Sequence, residues 1–554
     1  MKRFALLFLA LPATLTGQQP DLSAVADTVF ARWNSTHTPG CALGVAREGK
    51  VLLTRGYGMA DLETGTPITA ETIFESGSVA KQFTATAIIL LARDGKLSLD
   101  DPARKYLPEL PEYDRPITIR HLLTHTSGLR EWSSLVAAAG WPRGTRAQTQ
   151  ADLLDIVFRQ KALNYPVGEY YSYTNSGYAL AMTIVERVSG KSFQEFTRER
   201  IFRPLGMTHT QWRDDFTRLV PGRAQAYSRE DDGWHLNMPF ENVVGPGGML
   251  TTVGDWLIWN EALATRKLGA AVVDSLTRRM RLNNGREIEY ARGLRVTSYR
   301  GVPEISHSGS TAGYSTYLAR YPDRGSLSIA VLCNSSSGAA GSYTDQLADW
   351  LIGDFPPPAA LDTTRADSAT FATYLGIYRN TRTHVSLEVA PGGAARFRAL
   401  PNGWFWLANG TRWQFEVGPT AKPTGIRIAQ PDGDTVSYTY VAERFWTPTP
   451  EQLRAFEGAY PSDEIGVTFQ VKLAGDSLTL SPRAGSVLTL RPTYPDGFTA
   501  RGRAVWFTRD RGDRVTAMHL SESRVWDLVV PRARPGVGDE STGEGRAASQ
   551  SARQ

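Results

Sequence analysis

The run Ser76-Gly77-Ser78-Val79-Ala80-Lys81 stands where a glycine-bearing loop gives way to a helical pattern. Apolar Ala80, Phe83, Ala87, Ile88 and Leu91 follow on a helical repeat, and Asp94-Gly95 supplies a normal stop, so a helix is predicted over about 78–93. Ser78 and Lys81 are three residues apart and share one face of such a helix. A serine opening the helix also brings its own backbone N–H, one of the unpaired donors of a helix start. A lysine held out of water beside it can lose its proton and act as base towards the hydroxyl. Taken alone, Ser-x-x-Lys recurs by chance and is often only a helix cap, so its weight comes from its surroundings.

Working outward, Cys41–Ala46 and Val51–Thr54 are strand-like runs around the turn Arg47-Glu48-Gly49-Lys50, a hairpin signal. Three more apolar runs, Glu304–His307, Tyr314–Tyr321 and Ser326–Cys333, are separated by Gly309–Gly313 and Pro322-Asp323-Arg324-Gly325 and predict an antiparallel meander. Together they predict an α+β domain over 20–353, with a five-stranded antiparallel sheet flanked by helices. A linker is predicted over 354–368, opening on Asp354-Phe-Pro-Pro-Pro. Beyond it helical periodicity vanishes, and tryptophans, β-branched residues and glycine turns dominate. Gly376-Ile-Tyr378 and Gly458-Ala-Tyr460 each begin an alternating stretch, which predicts two all-β barrel-like domains, 369–448 and 449–532. Residues 533–554, rich in Gly, Ser, Arg and Glu, read as a disordered tail.

Two further stretches carry chemistry. In Tyr171-Ser-Tyr173-Thr-Asn175, an extended loop would point Tyr173 and Asn175 the same way. A phenol beside a lysine can pass a proton to a leaving group, and an amide can anchor both the lysine and a substrate carbonyl. In Ser306-His307-Ser308-Gly309-Ser310, Gly309 would let a substrate backbone approach, and the Ser310 N–H could join that of Ser78 in an oxyanion hole. Each has an ordinary structural reading as a loop plug or a strand-to-turn junction.

In this order the motifs Ser78-Val-Ala-Lys81, Tyr173-Thr-Asn175 and His307-Ser-Gly309 resemble the Ser-x-x-Lys, Tyr-x-Asn and Lys/His-x-Gly boxes of the penicillin-recognising serine hydrolases. That family includes class C β-lactamases, D,D-peptidases, D-aminopeptidases and related esterases. Ile119–Leu129 and Gly245-Pro-Gly-Gly-Met249 look like its internal helix and active-site loop, and the resemblance spans about 25–353. It implies a β-lactamase/transpeptidase-like fold and an acyl-enzyme on Ser78, with Lys81 and Tyr173 managing protons as a pair. Asn175, His307, Gly309 and Ser310 are then the substrate-binding residues. The departure is His307, where β-lactamases and D,D-peptidases usually carry lysine. Histidine is mostly neutral at pH 7, so recognition of a substrate carboxylate should weaken. This favours a D-aminopeptidase-like or esterase-like hydrolase of small amides, D-amino-acid peptides or esters. The alternatives are a β-lactamase or D,D-peptidase, or a non-catalytic peptidoglycan- or peptide-binding protein on the same scaffold. The paired β domains also resemble those of D-aminopeptidases, which does not fix the substrate.

The remaining composition excludes other classes. A net charge of +5 over 554 residues, with no basic run interleaved with aromatics, gives no sign of a nucleic-acid partner. Lys2-Arg3 followed by apolar Phe4–Leu15 reads as a signal peptide over 1–17, implying export to periplasm or medium, and no later run is long and apolar enough to span a membrane. The two cysteines, Cys41 and Cys333, sit in strand-like runs; buried thiols are the default reading, and in an oxidising compartment a disulfide between neighbouring strands is open. His121 and His125 have zinc-like spacing without the glutamate of His-Glu-x-x-His and read as structural, so no metal ligands are assigned. The proposed chemistry requires no cofactor, and the sequence leaves the oligomeric state open.

Overall fold

Alternation along Cys41-Ala-Leu-Gly-Val-Ala46 sends Cys41, Leu43 and Val45 into one apolar cluster and Ala42 and Ala46 into another. The strand must therefore lie between two covered faces. The computed structural model describes residues 21–357, 361–420 and 422–534. The signal peptide and nearly all of the tail expected from the sequence lie outside them.

Strands β1 (Cys41–Arg47), β2 (Lys50–Tyr57), β3 (Arg295–Tyr299), β4 (Val302–Thr311), β5 (Tyr314–Tyr321) and β6 (Leu327–Cys333) form one antiparallel sheet in the order β3-β4-β5-β6-β1-β2. The five expected strands are joined at the edge by a sixth, β3. Its sequence, Arg295-Val-Thr-Ser-Tyr299, is half-polar because no further strand lies beyond it. Helices α1 (Leu22–Val29), α2 (Lys81–Arg93), α3 (Asn175–Ser189), α4 (Val253–Ala264) and α5 (Ala340–Ile352) cover the sheet. Residues of α1 and α5 share the cluster of Leu43, Val45, Ile329 and Val331, whereas α2, α3 and α4 share that of Ala42, Ala330 and Leu332. Cys41 and Cys333 face each other in the β1–β6 register and are joined by a disulfide. The default expectation of free thiols is thereby corrected: in-register residues on adjacent antiparallel strands bring two cysteines within bonding reach.

The predicted helix at Ser78 begins one turn differently. Gly77–Ala80 is a 3-10 turn, and α2 proper starts at Lys81. A three-residue repeat eclipses positions i and i+3, which stacks Lys81 directly over Ser78. From Lys81 to Leu91 every residue of α2 is buried, so this helix is the axis of the domain.

Past the six-stranded domain come two eight-stranded antiparallel sheets, one drawing strands from Thr364–Arg365 to Thr435–Ala442 and one from Gly458–Ser462 to Val525–Pro531. Part of the stretch read as linker is thus structured, since Thr364–Arg365 pairs with Arg398–Ala399. The repeat seen in sequence has a physical counterpart. Tyr378 and Tyr460 are both fully buried, and each donates its hydroxyl proton to the carbonyl four residues back, Tyr374 and Phe456, at 2.7 Å. The first sheet has its own apolar core around Phe371, Phe397 and Ile426, whereas the core of the second is continuous with that of the six-stranded domain. Among the described residues no helix is long and apolar enough to cross a membrane.

Candidate active site

Two glycines let the turn that carries Ser78 and strand β4 meet. A Cβ on Gly309 would stand 2.1 Å from the Ser76 carbonyl oxygen, and one on Gly77, whose φ is +53°, would stand 2.6 Å from the Ser310 nitrogen. The Thr316 hydroxyl also donates to the Ser76 carbonyl at 2.8 Å. The approach of Ser76 by itself requires a glycine at 309. The result sets the backbone nitrogen of Ser310 next to the turn that carries Ser78, and both serines border the same cleft.

Lys81 is fully buried, and its Nζ lies 3.0 Å from Ser78 Oγ, 2.7 Å from Asn175 Oδ1 and 2.7 Å from the Pro246 carbonyl. A neutral amine fits this arrangement by donating to the amide and carbonyl oxygens and accepting from the serine hydroxyl. Burial pushes its pKa well below the ordinary lysine value; nearby Glu131 opposes that shift and Arg524 adds to it. Tyr173 presents its ring face 4.9 Å from the same nitrogen. Its hydroxyl is buried and makes no hydrogen bond to the described residues, and burial raises the phenol pKa, so it is a neutral phenol near Ser78.

Asn175 is not in an extended loop as predicted. It is the first residue of α3, with the Thr174 hydroxyl accepting from the Ser176 N–H. Its orientation comes from Glu131, which the sequence analysis did not single out. Glu131, 1% exposed, accepts from the Asn175 backbone N–H at 2.5 Å, from Asn175 Nδ2 at 3.1 Å and from the Thr174 hydroxyl at 3.1 Å. With the amide nitrogen committed to a carboxylate, the amide oxygen must face Lys81. No local pattern marks a glutamate at this loop-to-helix junction, so only the fold reveals it.

His307, expected to bind substrate, has both ring nitrogens engaged within the protein. It is 4% exposed, its Nδ1 lies 2.6 Å from the Ser308 carbonyl, and its Nε2 lies 2.9 Å from the Tyr290 hydroxyl. The first contact requires a proton on Nδ1, which leaves Nε2 to accept from tyrosine, and both nitrogens are spent. Burial pushes its pKa down to about 3, so the ring is neutral. His121 caps the helix Ile119–Leu123 through Thr118. His125 accepts from the Thr174 N–H at 3.2 Å and packs its ring 4.2 Å from that of Tyr173.

The cleft is open to solvent on one side and is bordered by Ser78, Asn175 and Ser310. Trp132, Val136, Trp141 and Val243 are apolar lining residues, and Arg143, bonded to Glu241 at 2.6 Å and Thr311 at 2.7 Å, borders the same cleft. Pro246 and Gly247, within the glycine-rich segment noted in the sequence, complete the rim.

Against known proteins, the Beta-lactamase family model matches residues 25–353. Penicillin-binding protein 4* of Bacillus subtilis is 28% identical over 436 residues, covering 72% of this chain and 95% of its own. A D-aminopeptidase of Brucella anthropi is 26% identical over 458 residues, covering 80% of this chain and 83% of its own. Among solved structures, the octameric penicillin-binding protein homologue from Pyrococcus abyssi matches with a TM-score of 0.53 at 21% identity, over 84% of this chain and 99% of that one. The D-amino acid amidase from Ochrobactrum anthropi SV3 matches with a TM-score of 0.52 at 22% identity, over 60% and 99%. At these identities the structural likeness speaks to the fold alone.

Proposed function

Because the chain belongs to the beta-lactamase family, we propose that it is a serine hydrolase that works through an acyl-enzyme on Ser78 and cleaves small amide, D-amino-acid peptide or ester bonds. The observation that carries this reading is the buried Lys81 amine bonded at once to Ser78, Asn175 and the Pro246 carbonyl. Lys81 takes the hydroxyl proton as Ser78 Oγ bonds to the substrate carbonyl carbon, and the charge on the carbonyl oxygen is met by the backbone N–H groups of Ser78 and Ser310. The tetrahedral adduct collapses when its bond to the leaving group breaks. Tyr173, neutral and unpartnered, relays the proton from Lys81 to the departing nitrogen or oxygen. Water, deprotonated by the same pair, then attacks the ester on Ser78 and releases the acid.

The choice of D-amino-acid amides and peptides rests on the D-aminopeptidase among the similar proteins and on His307, neutral where a charged lysine would favour β-lactam and D,D-peptide carboxylates. The buried Cys41–Cys333 disulfide supports export to an oxidising compartment. The test is steady-state hydrolysis of D-alanine p-nitroanilide, p-nitrophenyl butyrate and nitrocefin by the wild type and Ser78→Ala. Turnover of the first two that disappears in the variant is expected. Turnover of nitrocefin alone would return a β-lactamase, and none at all would favour the binding-protein alternative.

A further inference from the structure

Several buried or half-buried arginines of the region that carries Ser78 are matched to acceptors. Arg130 meets Glu464, Arg143 meets Glu241, Arg213 meets Glu75 and Arg295 meets Glu289. Arg524 differs. It stands at the tip of the hairpin formed by Val515–Glu522 and Val525–Pro531 in the second β domain, half-buried, with its guanidinium carbon 5.2 Å from the centre of the Tyr173 ring. Among the described residues its guanidinium has no hydrogen-bond acceptor and no carboxylate partner. Five donors taken partly out of water without an anion are costly to keep.

The position of Arg524 does not depend on its side chain. Its carbonyl accepts from the Glu131 N–H at 3.2 Å and from Asn164 Nδ2 at 3.0 Å, and the Trp526 N–H donates to Asn164 Oδ1 at 2.9 Å. Trp526 packs against Tyr165 and Tyr170 of the catalytic region. A hairpin fixed through its backbone thus holds a free cation over the phenol that serves the leaving group.

We propose that Arg524 is a specificity-determining residue that binds the carboxylate of the leaving amino acid, so that the preferred substrate is a peptide whose scissile bond is followed by one residue with a free C-terminus. In a departing amino acid the carboxylate carbon lies only about 2.5 Å from the leaving nitrogen, so a cation close to the phenol that protonates this nitrogen is also close to the carboxylate. Ammonia released from a primary amide offers nothing to such a cation. This assignment rests on the acyl-enzyme reading above and reverses one of its expectations: carboxylate recognition absent at His307 is supplied from another domain.

The test compares kcat/KM for D-alanyl-glycine and D-alanyl-glycinamide with the full-length wild type, Arg524→Gln and Arg524→Lys at low ionic strength. The wild type is expected to favour the free acid by about tenfold or more, Arg524→Gln to bring the ratio near one, and Arg524→Lys to fall between. A wild-type ratio near one, or equal losses on both substrates in Arg524→Gln, overturns the proposal; the second result would assign Arg524 to the electrostatics of Tyr173 alone. If neither peptide is turned over, the D-aminoacyl reading fails, and Arg524 is judged by calorimetric binding of the same two peptides to Ser78→Ala. Tighter binding of the acid that is lost on adding Arg524→Gln supports it, and equal or absent binding overturns it.

Discussion

Lys81 concentrates the electrostatics of the site, because one buried nitrogen touches the Ser78 hydroxyl, the Asn175 amide and a backbone carbonyl. Lys81→Met should lower kcat/KM by about 10²–10⁴, the usual weight of a positioned acid–base group, and initial rates of ester hydrolysis check this. The pH dependence has a definite sign. A base must be deprotonated to act, and burial lowers the Lys81 pKa well below 10.5, so activity should rise with pH and reach its plateau far below the ordinary lysine range. Glu131 acts in the opposite direction, raising the Lys81 pKa. Glu131→Gln should therefore move the acidic limb of the kcat/KM profile to lower pH, together with about a tenfold loss from the weakened hold on Asn175. A limb that stays in place would separate Glu131 from the titration. Ser78 with Lys81, and Tyr173 with Asn175, were legible as candidates because each pair lies within three residues in sequence, and the family resemblance joined the two pairs, Lys81 and Asn175 being 94 residues apart. Glu131, Tyr290 and Arg524 were not, because their roles arise from contacts 44, 17 and several hundred residues away in sequence, which no local pattern records.

The elements around the site are held by two buried devices. Glu75, fully buried just before the turn that carries Ser78, is bonded to Arg213 at 2.8 and 3.0 Å and to Arg223 at 3.3 Å. Burial alone would raise its pKa, but the guanidinium groups more than offset this and the net shift is downward. A carboxylate with a depressed folded pKa contributes stability that is present above its unfolded pKa and is lost as pH falls through the folded value. Thermal midpoints should accordingly drop as pH is lowered below about 4.5. Glu75→Gln, which leaves Arg213 buried without its charge partner, should cost about 3–5 kcal/mol by denaturant unfolding near pH 7. The second device is the disulfide between β1 and β6, which closes a sequence separation of 292 residues. Replacing Cys41 and Cys333 by alanine should cost about 2–5 kcal/mol in the same assay. The period-2 runs revealed five strands. The sixth escaped notice because an edge strand with one exposed flank carries weak alternation, and the cysteine pairing escaped because register is set by the whole sheet rather than by either run.

Across the whole molecule, the second β domain packs against residues of the site at more than one point. Arg483 stacks 3.8 Å from the ring of Trp141, which lines the cleft, and Arg524 covers Tyr173. Arg130 ties the domains together: it bonds Glu464 at 2.8 Å, with side chains only 2% and 12% exposed, and donates to the Asp527 carbonyl. Its neighbour in sequence is Glu131, so the domain contact and the orientation of Asn175 share one short segment. Arg130→Ala should destabilise the chain by about 3–5 kcal/mol and lower kcat more than KM changes; a double-mutant cycle with Glu464→Ala should show coupling. The two β units were readable from composition and from the Gly-x-Tyr repeat. Their engagement with the site was not, since nothing in a strand pattern says which surface its hairpin tips will meet.

The most direct test of the acyl-enzyme is intact mass of the full-length chain after reaction with a fluorophosphonate, followed by peptide mapping, for wild type and Ser78→Ala. The account predicts one adduct, mapped to Ser78 and absent in the variant. An adduct that persists in Ser78→Ala, or one that maps to another residue in the wild type, would contradict it.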